Sequence, residues 1–91
     1  MKPVSYVITN FIEKTMSVKG LNLYVTSDGK FLVMDNNYDT VFKFDLMFSD
    51  NDFSCQILAR SDQGLIMKHS VNIPWTNGGA LREFMDFVRN M

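Results

Sequence analysis

Cysteine, histidine and proline are nearly absent: the 91 residues hold one cysteine, one histidine and two prolines. A lone Cys55 cannot close an internal disulfide, and the sequence carries no Asn-x-Ser/Thr acceptor. Both features favour a reducing setting, and a cytoplasmic location is expected. Charge of one sign is also lacking, with nine Lys and Arg against ten Asp and Glu for a net charge of -1. That balance excludes a strongly basic nucleic-acid binder and a strongly acidic mimic of DNA. No apolar run approaches the ~18 residues of a bilayer-spanning helix, and Ser5, Thr9 and Asn10 break up the opening segment, so it does not read as a secretory signal. Internal repeats and low-complexity stretches are missing as well.

What remains is ordinary globular material, 46% apolar and 21% charged, and a chain this short has room for one hydrophobic core. A single α+β domain spanning 1–91 is expected. Val4, Val7, Ile8, Phe11, Ile12 and Met16 recur with helical spacing and predict a first helix from about Pro3 to Val18. Pro3 suits the first helical turn and Gly20 a left-handed end. After Gly20 the period changes to two. The segment LNLYVTSDGKFLVMD reads as a hairpin around Asp28-Gly29. A two-residue loop there opposes Thr26 to Phe31, Val25 to Leu32, Tyr24 to Val33 and Leu23 to Met34. Leu21, Leu23, Val25, Leu32 and Met34 then share one face, with Tyr24, Phe31 and Val33 on the other.

Phe42, Phe44, Leu46 and Phe48 alternate on one side of a third strand, and Phe53, Cys55, Ile57 and Ala59 on one side of a fourth. Asp62-Gln63-Gly64 predicts a hairpin loop with glycine in a left-handed bulge, placing Ala59 opposite Met67, Ile57 opposite His69 and Cys55 opposite Val71. Pro74 ends the fifth strand near Ile73. Asn77 or Thr76 then caps a second helix whose apolar stripe is Ala80, Leu81, Phe84, Met85, Val88 and Met91. The expected architecture is a five-stranded antiparallel meander flanked by N-terminal and C-terminal helices, with both helices on the Phe42 and Phe44 face.

Chemistry is sparse. Cys55 and His69 fall diagonally on one sheet face, the arrangement of a nucleophile and base, but no orienting acid or oxyanion site accompanies them. Asp35, Asn37 and Asp39 reproduce the start of a calcium loop, whereas Thr40 stands where that loop needs glycine and Leu46 where it needs a closing glutamate. Asn77-Gly78-Gly79 opens a helix without the spacing of a phosphate-binding loop. Residues 35–52 carry a local charge of -4 and residues 1–34 one of +2, a pattern that turn aspartates explain. No enzymatic activity, no cofactor and no metal are expected.

The outer sheet face is the informative feature. Tyr24, Phe31, Val33, Val41, Met47, Leu58 and Ile66 are expected to point away from the Phe44 core, among Lys43, Gln56, Arg60 and Lys68. An open antiparallel face is normally polar, so this mixture predicts a contact surface, with Tyr24, Phe31, Val33, Lys43, Met47, Leu58 and Arg60 as the partner-binding residues. The expected function is a small protein-interaction module acting through this face or a sheet edge, with a protein partner or as a homodimer. One alternative is a viral or mobile-element protein that inhibits a host factor. Another is a single-stranded nucleic-acid binder stacking bases on Tyr24 and Phe31, which the negative charge disfavours. The segment GLNLYVTSDGKFLVMD after a helix resembles the start of roadblock-type domains, and the element order is similar in outline to secretion-chaperone-like folds; both resemblances imply protein binding. Roadblock domains carry a helix between the second and third strands, which Asp35 to Val41 cannot supply.

Overall fold

The computed structural model describes residues 4–28 and 30–91; Pro3 and Gly29 lie outside them. Helix α1 spans Val4–Val18, followed by strands β1 (Asn22–Val25), β2 (Phe31–Met34), β3 (Thr40–Phe48), β4 (Asp52–Ser61) and β5 (Gly64–Pro74), then helix α2 (Gly78–Arg89). The strands form one antiparallel sheet in sequence order, β1-β2-β3-β4-β5. Helix, meander, helix is thus the observed α+β order.

The helix ends follow from local chemistry. At the end of α1, Gly20 takes φ +79, its N–H donates to Ser17 O and the Leu21 N–H donates to Met16 O. This pair of bonds satisfies carbonyls that have no partner within the helix, and it needs a left-handed residue that glycine adopts without a steric penalty. Asn77 begins α2, its side-chain oxygen accepting the Ala80 N–H at 3.1 Å. Lys19 joins the two helices: its ammonium donates to Arg89 O and Met91 O, each at 2.8 Å, at the C-terminal end of α2. A cation is favoured there because the helix carbonyls point toward it.

Both helices pack on one side of the sheet. Ile8, Ile12 and Met16 of α1 and Phe84 and Val88 of α2 share a core with Phe31, Val33, Phe44, Phe53, Cys55, Ile57 and Ile73. Phe44 lies at the sheet centre, opposed to Phe31 on β2 and Ile57 on β4. Around Phe53 the rings of Phe48, Trp75 and Phe84 gather at centroid distances of 5.3 to 6.0 Å. The Trp75 indole N–H closes that end of the sheet by donating to Ser49 O at 2.8 Å.

Two registers differ from expectation. In the first hairpin Leu23 opposes Val33, Tyr24 opposes Leu32 and Val25 opposes Phe31. The hairpin is therefore closed by Thr26 and Lys30, with three residues between them in place of two, the Thr26 N–H donating to Lys30 O and the Lys30 N–H to Thr26 Oγ1. One residue of slip exchanges the faces of a whole strand. Phe31 (9% exposed) and Val33 (0%) consequently belong to the core, which corrects their assignment to the outer face, and Leu32 and Met34 take their place. In the last hairpin Gly64 is left-handed as expected, at φ +98. There Ser61 opposes Gly64, Ala59 opposes Ile66 and Leu58 opposes Met67, until an extra residue, Lys68, restores the predicted pairing from His69 onward. Ile66 is thus on the helix side and Met67 on the outer side, the reverse of expectation.

Replacing Phe44 with alanine removes the fully buried ring at the centre of this core and should cost about 3 to 5 kcal/mol. Urea denaturation will register this as a large fall in midpoint. A variant that keeps the wild-type midpoint would contradict the packing described.

Candidate protein-interaction surface

The register of the four strand pairs places one row of side chains straight across the outer face. Tyr24 opposes Leu32, Leu32 opposes Lys43, Lys43 opposes Leu58 and Leu58 opposes Met67. Directly opposed residues share a face with their Cβ atoms about 4.5 to 5.5 Å apart, so these five residues form a band from one sheet edge to the other. Tyr24 is 42% and Met67 52% exposed, while Leu32, Lys43 and Leu58 are half-buried by their neighbours. Toward the β2–β3 turn and the β4–β5 loop the band is bordered by Met34, half-buried, and by Leu65, which opposes Arg60.

The other end of the face is polar. Asp45 opposes Gln56 and Gln56 opposes Ser70; Met47 opposes Ser54 and Ser54 opposes Asn72. The Asn72 amide donates to Ser54 Oγ at 2.8 Å. Met47, 69% exposed, is therefore a single apolar side chain in polar surroundings rather than part of the band.

Of the residues predicted to bind a partner, the structure brings Tyr24, Lys43 and Leu58 together, sets Arg60 at their border and Met47 apart, and removes Phe31 and Val33 to the interior. Leu32, Met34, Leu65 and Met67 were missed. The signal for the first two lay in Thr26 and Lys30, whose polar groups close the hairpin in place of Ser27 and Lys30. For Met67 it lay in Lys68, a charged residue directly after the apolar run Leu65, Ile66 and Met67.

Charge on this face is largely paired. Lys30 lies 3.4 Å from Asp45, and Arg60 lies 3.4 Å from Asp35. The Asp35 carboxylate also accepts the Asn37 and Asp39 N–H groups at 2.9 and 3.1 Å. The Asp39 amide, the Asn37 amide and the Arg60 guanidinium hold the Asp35 carboxyl below its ordinary pKa. Its oxygens serve the turn between β2 and β3, where a D-x-N-x-D metal loop would direct them at a cation. No grouping of three or more metal-ligating side chains occurs among the described residues. Within the same turn Tyr38 sits at φ 62 with its side chain 74% exposed, a conformation that favours glycine or asparagine.

Cys55 and His69 do share a sheet face, Cys55 opposing Val71 and Ile57 opposing His69. Cys55 is fully buried, and burial, reinforced by Asp45, pushes its thiol up to about 12. A nucleophile needs the thiolate, which this environment disfavours. The His69 ring is stacked on Phe87 with centroids 4.0 Å apart.

Two outcomes follow from these environments. The folded chain at pH 8 should resist a thiol-specific reagent, Cys55 reacting only at the rate of opening and readily once urea unfolds the protein; rapid stoichiometric labelling without urea would refute the burial. Tyr38→Asn should raise stability by about 0.5 to 1 kcal/mol, because it relieves the left-handed backbone while giving up little packing. A thermal midpoint that falls would show that the Tyr38 ring makes contacts outweighing that relief.

No helix among the described residues is long and apolar enough to cross a membrane. Comparison with known protein families, curated proteins and solved structures finds no match.

Proposed function

We propose that the chain is a non-enzymatic protein-interaction module whose contact surface is the apolar band Tyr24, Leu32, Leu58 and Met67, with Lys43 at its centre. The observation that carries this reading is the placement of both helices on the opposite side of the sheet, which leaves the band without a covering element among the described residues. An antiparallel face that meets only water is ordinarily polar along its length. Here the polar half, Asp45, Gln56, Ser54 and Asn72, follows that rule and the half toward the β2–β3 turn and the β4–β5 loop departs from it. Contiguous exposed apolar side chains of this kind mark contact surfaces. Lys43 fits the same role: its aliphatic stem lies between Leu32 and Leu58 while its ammonium can reach water or a partner's carboxylate.

Base stacking on this face is less well supported. It would rely on Tyr24 alone, since Phe31 is in the core, and the cations Lys30 and Arg60 are already paired with Asp45 and Asp35. Phosphate contacts at Lys30 or Arg60 would have to displace those carboxylates, which leaves Lys43 as the unpaired cation of the band.

Met67→Glu tests the proposal because the side chain is half-exposed and its replacement leaves the core intact. If a second copy occupies the band, light scattering will show a dimer that the variant returns to monomer. If another protein does, both forms are monomeric and cross-linking in cell extract recovers partners with the wild type that the variant loses by roughly fivefold or more, the effect of removing an interface side chain worth about 1 kcal/mol. Two monomeric forms that recover identical proteins in equal amount would sink the proposal. Phe31→Glu is unsuitable for this purpose, since it places a charge in the core.

A further inference from the structure

Strand β5 is an edge: among the described residues it pairs with β4 and with no other strand. From His69 to Pro74 its pairing with β4 is uninterrupted, Ile57↔His69 through Asp52↔Pro74, so the opposite side of this stretch offers a straight row of main-chain donors and acceptors. Pro74, which has no N–H, and the Lys68 bulge bound it on either side. Such an edge is complementary to another extended chain.

Alongside this edge, on the helix side, runs a cleft of about 340 Å³ between β5 and α2, lined chiefly by His69, Val71, Ile73, Glu83, Phe84 and Phe87. Its floor is apolar, with Ile73 and Phe84 buried and Val71 and Phe87 half-buried. Glu83 is the only carboxylate among the lining residues. It is exposed and belongs to none of the ion pairs of the described residues. An unpaired carboxylate on the rim of an apolar recess complements a ligand that is apolar with one positive charge.

We infer that the β5 edge and this cleft take an extended segment of a partner protein, added as a sixth strand beyond His69–Ile73. It would carry an apolar side chain for the Val71, Phe84 and Phe87 recess and a Lys or Arg for Glu83. The spacing is consistent with this occupant. Side chains on one face of an added strand recur every second residue, roughly 7 Å apart, and Glu83 and Phe87 on α2 are one turn apart, with Cβ atoms about 5 to 6 Å from each other. An apolar residue and a cation two positions apart can therefore meet the recess and the carboxylate together. This site is separate from the outer face and shares with it only the premise that the chain binds protein.

The probe is a fluorescein-labelled peptide, Thr-Val-Thr-Leu-Thr-Arg-Thr-Val-Thr, followed by anisotropy and by amide chemical shifts of the full chain. Saturable binding is expected, with the largest shifts at residues 69–73 and 83–87. Glu83→Lys should weaken it roughly two- to fivefold, the range for a partly exposed ion pair, and should instead favour the peptide in which Glu replaces Arg. Leu58→Glu on the outer face should leave binding unchanged, which separates failure here from failure of the outer-face reading. Absence of binding at millimolar peptide overturns the inference, as do shifts confined to the Tyr24, Leu58 and Met67 band. Concentration-dependent shifts at 69–73 without peptide would also overturn it, by showing that a second copy occupies the edge.

Discussion

Everything in this fold depends on the pairing of Phe44 between Phe31 and Ile57. A strand has a side-chain period of two, so fixing which face Phe44 presents to the helices fixes the faces of β3 from Phe42 to Phe48, and through the ladders those of the residues paired with them on β2 and β4. Phe31, Val33, Phe53, Cys55 and Ile57 then necessarily line the interior with Ile12, Met16, Phe84 and Val88. Leu32, Leu58 and Met67, on the alternate positions, necessarily do not. A small domain can bury only about 60% of the surface its unfolded chain exposes, and here both helices are committed to one side. The open apolar band is therefore a consequence of where the core was placed.

Much of this was legible in the chain itself. The 3.6-residue rhythm of Ile8, Ile12 and Met16 marks one helix and that of Ala80, Phe84 and Val88 the other, because each stripe must meet a core. Gly20 and Gly64 mark two of the left-handed positions, where side chains with a Cβ are strained. The alternation of Phe42, Phe44 and Leu46 against Val41, Lys43 and Asp45 sets the inner face of β3. The first hairpin was not legible in the same way, because both faces of β2 are apolar: Phe31 and Val33 on one side and Leu32 and Met34 on the other satisfy a buried pattern equally well. With no polar residue to break the tie, turn length alone decided the register, and closure by Thr26 and Lys30 decided it against the two-residue reading of Asp28-Gly29. The segment from Asp35 to Asp39 turns without forming a helix, as its composition requires, so the outline of a roadblock-type domain is not reproduced there.

Electrostatics sharpens the division of the outer face. The concentration of aspartates in residues 35–52 reads as an acidic region in the sequence, yet Asp35 is joined to Arg60 and Asp45 to Lys30. Exposed pairs of this kind add little to stability, but they remove long-range attraction for either sign of partner. Among the described cations of the face, Lys43 has no ion pair and stands between two leucines. Recognition by such a surface would rest on apolar contact and shape, with one charge to orient the partner, which matches the depletion of charge at the centres of protein interfaces.

The bulge at Lys68 links this face to the opposite side of the sheet. Between Gly64 and Met67 the strand follows one register with β4, and from His69 to Pro74 another. The inserted residue is what sets Met67 beside Leu58 on the outer face while His69, Val71 and Ile73 remain on the helix side, facing α2. Without it, a strand of strict alternation that kept His69 against Phe87 would carry Met67 to the helix side as well, opposite Ala59, and the apolar band would end at Leu58. A bulge also disturbs the edge it interrupts, which limits indiscriminate pairing along the whole of β5. One extra residue thus extends the band to the sheet margin and confines the straight part of the free edge to the stretch that runs beside the cleft.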